Sequence, residues 1–288
     1  MTMDSVLTRN IYEINGIHLH VVEAGDKNGV PILFLHGFPE HWYGWKNQID
    51  HFAALGYRVI VPDQRGYNLS AKPADVQAYK VENLIQDIVS LIDHLMLKDT
   101  FLIGHDWGGI VSWQLAMYHP RLFRKIVIVN VPHPGALRKK LLPSQLFKSW
   151  YIFFFQLPLL PELLNGSNNF AFMAKSMLKS SLPGTFSPYD MSVYRQAWKQ
   201  GISSMINWYR AMRKSLLFRK KPSEFPMINK PLLLIWGKKD AFLSYELAPL
   251  SLEFCTNGQL ITYEDATHWV HHERSERFNN DISSFIEK

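Results

Sequence analysis

With one cysteine in 288 residues, Cys255, the chain can form no framework of intramolecular disulfides, and a reducing, cytoplasmic setting is expected. Long apolar runs are also lacking. No stretch reaches the roughly 18 consecutive apolar residues of a membrane-spanning helix. The richest, Tyr151 to Leu164, is interrupted by Gln156, Pro158, Pro161 and Glu162. Near the start, Asp4 stands where a secretory signal needs an apolar core, so neither a leader nor a span is expected. Contact with a membrane surface stays open. Acidic residues are scarce in the middle: from His133 to Glu224 there are 14 Lys and Arg against 3 Asp and Glu. Such a segment either steers an anionic substrate or membrane surface toward itself, or simply forms the wet faces of amphipathic helices. Nucleic acid is not an expected partner, because no binding module is recognisable and the bases are interleaved with very apolar sequence. Repeats, low-complexity tracts and flexible linkers are absent too. What the chain does have is apolar mass, 47% of its residues, enough for one large core with a subsidiary cap.

Short apolar runs alternate with helical stretches in the N-terminal part. PILFL (31–35), RVIVP (58–62), FLIG (101–104) and IVIVN (126–130) read as strands, and PLLLIWG (231–237) and QLITYED (259–265) restore the pattern later. Their near-continuous apolar character suits a mostly parallel sheet covered on both faces by helices. Between them, 81–97 sets Leu84, Ile88, Leu91, Ile92 and Leu95 at helical spacing, and 110–120 reads as a helix stopped by Pro120. ERFNNDISSFIE closes the chain as a further helix. The segment 133–225 breaks this rhythm with seven prolines between Pro134 and Pro222 and many aromatics. It is expected to be a helical cap inserted into an α/β core made of 1–132 and 226–288. Insertions of this kind sit on loops at the carboxyl ends of parallel strands, where ligands of open α/β sheets also bind.

The sharpest local feature is FLIGHDWGG (101–109). A strand runs into Gly104, Asp106 follows, and Gly108 with Gly109 opens a helix. Small residues on both sides allow the abrupt strand-to-helix turn of a nucleophile elbow, here with a carboxylate at its centre. Asp106 is equally readable as an ordinary helix cap. HGFPE (36–40) follows PILFL directly and offers the Phe38 N–H to a reacting oxygen, or else a simple turn at Gly37 and Pro39. Asp240 follows one late strand in GKKDAF and His268 another in ATHWVHH, the places from which an imidazole reaches the nucleophile and an acid holds its tautomer. His271 and His272 are expected on the solvent side of the last helix. His18 and His20 alternate in a strand and read as surface residues, leaving no ligand set for a metal, and no cofactor is required.

The motifs HGFPE, WYGW (42–45), PDQRGY (62–67), GHDWGG and the late Asp240/His268 pair occur in the order seen in the epoxide hydrolase group of the α/β-hydrolase superfamily, which the chain resembles over nearly its whole length. The resemblance implies an α/β-hydrolase fold and two cap tyrosines, Tyr151 in WYIFFFQ and Tyr209 in NWYR. It also implies a reaction. Asp106 attacks an epoxide carbon while Tyr151 and Tyr209 polarise and protonate the oxygen. His268, oriented by Asp240, then drives water onto the Asp106 ester, with the Phe38 and Trp107 N–H groups stabilising the intermediate. Phe38, Trp107, Phe153, Phe154 and Trp208 are the aromatics expected to line an apolar substrate pocket.

Other readings share parts of this pattern. A haloalkane dehalogenase uses the same aspartate, histidine and acid. Trp107 supplies one halide-binding indole, but Phe38 stands where many of those enzymes have asparagine. In the fluoroacetate-cleaving branch an arginine occupies the place of Trp107. A serine esterase is excluded by Asp106 at the elbow. A ligand-binding protein that kept the fold is the non-enzyme alternative.

Overall fold

The computed structural model describes residues 7–139, 143–212 and 221–288; Asp4 and the bases Lys140, Arg213, Lys214, Arg219 and Lys220 lie outside them. The chain opens with a hairpin of β1 (Thr8–Ile14) and β2 (Ile17–Gly25). Asn15 and Gly16 turn it, at φ 50° and 72°. Asn-Gly suits this turn because both central residues must take left-handed backbone. Then β3 (Pro31–Leu35), α1 (Lys46–Ala54), β4 (Arg58–Pro62), α2 (Val81–His94), β5 (Thr100–His105), α3 (Trp107–Tyr118) and β6 (Phe123–Val129) follow in turn.

The strands form one eight-stranded sheet in the order β1-β2-β4-β3-β5-β6-β7-β8, where β7 is Leu232–Gly237 and β8 is Gly258–Tyr263. The β1–β2 and β2–β4 pairings are antiparallel, and every pairing from β4 to β8 is parallel. All residues of β5 and β7 are buried, as strands with helices on both faces must be. On α2, Leu84, Ile88, Leu91 and Ile92 form the stripe that packs inward.

Between β6 and β7 the described chain is helical: α4 (Pro134–Lys139), α5 (Pro143–Lys148), α6 (Trp150–Phe154), α7 (Leu160–Gly166), α8 (Ala171–Ser180), α9 (Pro188–Trp198) and α10 (Ile202–Met212). Prolines start several of these helices rather than breaking them. Pro188 opens α9, whose entry is closed by a capping box in which Ser187 and Asp190 satisfy each other's backbone N–H groups. After β7 come α11 (Leu247–Leu252), β8, α12 (Val270–Glu273) and α13 (Ser275–Glu287). No helix among the described residues is long and apolar enough to cross a membrane.

His20 corrects the expectation of a surface residue. Exposed His18 fits it, but His20 is buried and its Nδ1 lies 2.6 Å from Asp63 Oδ2. The reason is topological. Strand β2 lies between β1 and β4, and four consecutive residues, Leu19 to Val22, are buried, so alternation fails there.

Candidate active site

Four loops at the carboxyl ends of parallel strands bring the site together. After β5, the chain turns at Asp106 with φ 50° and ψ −118°, and Trp107 starts α3 at once. Left-handed backbone at a non-glycine residue costs roughly 1–3 kcal/mol and persists only where the surroundings enforce it. Here glycine makes the turn fit. A Cβ on Gly104 would run into Ser112 and Gly108, and one on Gly108 into the Leu35 carbonyl. Although Asp106 occupies the cap position of α3, its side chain makes no capping hydrogen bond. Instead its Oδ1 accepts the Phe38 N–H at 2.8 Å, from the loop after β3. Of the two readings of Asp106, the geometry therefore disfavours the ordinary cap.

His268, in the loop after β8, points Nε2 toward Asp106 Oδ2 at 3.7 Å and Nδ1 at Asp240 Oδ2 at 2.7 Å. Asp240 is fully engaged. Its Oδ2 also accepts from Asn130 Nδ2 at 2.7 Å, while Oδ1 accepts the N–H groups of Phe242 (2.7 Å) and Leu243 (2.9 Å). Burial opposes ionisation of this carboxyl, yet the adjacent His268 and these donors hold it below the usual carboxylate range. His268 is the mirror case. Burial works against its charge, but Asp240 and then Asp106 raise it above an ordinary imidazole. An acid with four donors and a raised histidine define the tautomer: Nδ1 carries the proton and Nε2 faces Asp106. Asn130 was not singled out from the sequence. Its side chain both donates to Asp240 and accepts the Gly237 N–H at 2.9 Å, tying β6 to the acid's loop.

Across from Asp106, the cap supplies Tyr151 from α6 and Tyr209 from α10, their rings 5.8 Å apart at 82°. Both phenols are pushed above the ordinary tyrosine range, by burial first and then by the Asp106 charge, so both hold their protons at neutral pH. Asp106, His268 and both tyrosines share one cavity with Phe38, Phe154, Phe155, Met173, Phe242 and Trp269. It holds a free volume of about 150 Å³, a cavity size that takes a single aromatic ring.

The expected pocket aromatics divide. Phe38 and Phe154 line the cavity, but Phe153 is 66% exposed on the outer side of α6, because adjacent residues of a helix point in different directions. Trp208 is buried outside the cavity, its indole N–H donating to the Arg65 carbonyl at 2.8 Å. Trp107 is also absent from the cavity wall and packs edge-on against Trp208 and Tyr209. Phe155, Phe242 and Trp269 were missed: only the turn of α6 and the docking of the cap reveal which rings face inward.

His271 and His272 are a second correction. His271 is fully buried and His272 nearly so at its side chain, in α12 rather than on the wet side of the last helix. Glu40 explains the burial. Its Oε1 accepts from His272 Nε2 (2.7 Å) and from the cap's Tyr194 hydroxyl (2.7 Å), and Oε2 lies 3.3 Å from His271 Nε2. Burial alone would raise the Glu40 carboxyl, but His272, His271 and His105 hold it well below its usual range. His105 in turn donates Nε2–H to the His268 carbonyl at 3.0 Å, so this network abuts the His268 loop. Glu40, His271 and His272 bring three possible ligand atoms within 4.8 Å of one another. These three atoms already face one another as donors and acceptors, whereas the buried Nδ1 atoms of His271 and His105 have no hydrogen-bond partner among the described residues.

Comparison with known proteins extends this geometry. The family model described as alpha/beta hydrolase fold matches residues 30–275. The AB hydrolase superfamily protein YfhM of Bacillus subtilis (strain 168) is 44% identical over 276 residues, covering 94% of this chain and 95% of that one. Epoxide hydrolase 2 of Caenorhabditis elegans is 34% identical over 283 residues, covering 95% and 78%. Among solved structures, the Bacillus megaterium epoxide hydrolase in complex with an inhibitor superposes with a TM-score of 0.88 at 29% identity, over 97% of this chain and 100% of that chain.

Proposed function

Because this chain belongs to the α/β-hydrolase fold family and to its epoxide hydrolase branch, we propose that it adds water to apolar epoxides, giving vicinal diols through an ester on Asp106. One observation carries the proposal. An aspartate carboxylate at the elbow shares a cavity with two protonated phenols.

In the first step Asp106 Oδ2 attacks an epoxide carbon and the ring C–O bond breaks. The released alkoxide takes a proton from Tyr151 or Tyr209, so no strongly basic anion has to leave. Oδ1 stays in the N–H cradle that begins with Phe38, and the Trp107 N–H is its proposed second member. In the second step His268 Nε2 removes a proton from water, and the resulting hydroxide attacks the ester carbonyl of Asp106. Negative charge builds on Oδ1 in the cradle. The alkyl oxygen then leaves as diol with the proton from His268. The second water proton passes from the Asp106 carboxyl to the deprotonated tyrosine, which restores both the phenol and the carboxylate, the latter with one oxygen from water. Asp240 stabilises the transient imidazolium. A cytoplasmic setting belongs to the same reading.

Dehalogenation would use the same aspartate, but the cavity wall lacks the Trp107 indole on which a departing halide would rest. The direct test incubates the purified protein with aryl and alkyl epoxides beside 1-bromobutane and scores diol and bromide. Diol with little bromide is expected. Bromide without diol would replace the proposal by dehalogenation, and neither product would favour a binding protein.

A further inference from the structure

We propose that the cap docks this protein on an anionic lipid surface, with the mouth of the cavity facing the lipid. The first support is apolar surface that no described residue covers. Phe147 is 81% exposed, Leu159 72%, Leu163 68%, Phe153 66% and Trp150 56%, all from α5, α6, α7 and the turn between the last two. Scattered single exposures are ordinary, but large aromatic and leucine side chains concentrated on one stretch of cap mark an interaction surface.

The second support is position. An outer recess formed by Phe147, Trp150 and Phe172 opens beside the cavity and shares Trp150, Phe172, Ser176 and Phe242 with it. Of the exposed residues, Phe147 and Trp150 therefore frame the entrance. The third is charge, which selects the occupant. Lys148, Lys175 and Lys179 line the same recess. Residues 143–212 contain two acids, and both are spoken for: Glu162 pairs with Arg210 and Asp190 with Lys46. Outside the His133–Glu224 segment acids outnumber bases, so the cap is the positive pole of the molecule. A negative surface is drawn to that pole, whereas a second copy meeting it across a two-fold axis would set lysine against lysine. Rings and leucines that reach the acyl boundary with lysines at the headgroups are the arrangement of a peripheral membrane face. Docked so, the cavity would draw apolar substrates from the lipid in which they concentrate. This inference does not depend on the reaction chemistry, since binding is read without turnover.

The test is flotation of the purified full chain with phosphatidylcholine vesicles and with vesicles rich in phosphatidylglycerol, at low and at high salt. Binding is expected to the anionic vesicles only, and to weaken with salt. Lys175→Gln and Lys179→Gln should each weaken it roughly fivefold. The Leu159→Glu/Leu163→Glu double variant should abolish it. All variants should keep the wild-type melting temperature and the wild-type turnover of styrene oxide in vesicle-free buffer. The proposal is overturned by absent binding, by equal binding to neutral vesicles, or by variants that bind as wild type. It is overturned equally if light scattering shows a dimer that the leucine variant converts to monomer, which would make this face a self-interface.

Discussion

Replacing Asp240 with Asn should separate the two chemical steps, and the structure says why. Every acceptor position of Asp240 is used: Oδ1 by the Phe242 and Leu243 N–H groups, Oδ2 by His268 Nδ1 and Asn130 Nδ2. An asparagine must put its one oxygen where two backbone donors converge, because those donors cannot turn. Its NH2 then faces His268 Nδ1, and the imidazole can satisfy that group only by moving its own proton to Nε2. In this tautomer His268 presents a donor to the water it should deprotonate. Locking a catalytic histidine in the wrong tautomer lowers turnover by about 10⁴, or about 5 kcal/mol of barrier. Attack by Asp106 on the epoxide needs no base, so alkylation should survive. Rapid-quench mass spectrometry with styrene oxide should then show the enzyme carrying one substrate mass, accumulating to near stoichiometry while diol release stalls. Ester hydrolysis within tenfold of wild type would refute the claim that Asp240 sets the tautomer. Absence of any adduct despite slow turnover would refute the covalent step itself.

Two further outcomes follow from the cap tyrosines and the buried imidazoles. Tyr151→Phe or Tyr209→Phe should slow single-turnover alkylation by roughly ten- to a hundredfold, with ester hydrolysis much less affected; unchanged alkylation in both would demote the phenols to packing. In acid, burial pushes His41 from 6.5 to about 4 and His133 to about 3. The unfolded chain therefore takes up protons that the folded chain refuses. Stability should be full above about pH 6.5 and fall as pH drops toward 4, by roughly 3 kcal/mol from His41 alone. Urea melts across that range measure the slope. His133→Asn, which keeps an acceptor for the Gly135 N–H, should make it shallower; an unchanged slope would remove His133 from the account.

Periodicity and punctuation made much of the frame legible in the sequence. PILFL and RVIVP coincide with β3 and β4, because a strand buried on both faces has to be apolar at nearly every residue. Asn15-Gly16 marks the opening hairpin as a turn, but the pattern of β1 itself is weak. With Asn10 and Tyr12 on one face and Ile11 and Glu13 on the other, it lacks an apolar stripe because the strand lies at the sheet edge. Glycines around Asp106, and an acid and a histidine after late strands, pointed to the same carboxyl edge of the sheet. Local chain geometry demands those residue types, so a linear sequence can announce them.

What the sequence could not decide are relations between distant residues. Phe153 and Phe155 are alike in composition and neighbourhood, and only the rotation of α6 against the core sends one to solvent and the other to the cavity. His271 and His272 looked like surface residues because nothing nearby in the chain balances two buried imidazoles. Glu40 does so from 231 residues away, and Tyr194 completes the network from the cap. Burying a polar group is tolerable only with a partner, and partners of this kind are assigned by packing. Hydrophobic pattern and turn chemistry act over a few residues and are written in order along the chain. Burial, tautomer and pocket lining depend on what the folded chain brings alongside, and those the tertiary structure alone decided.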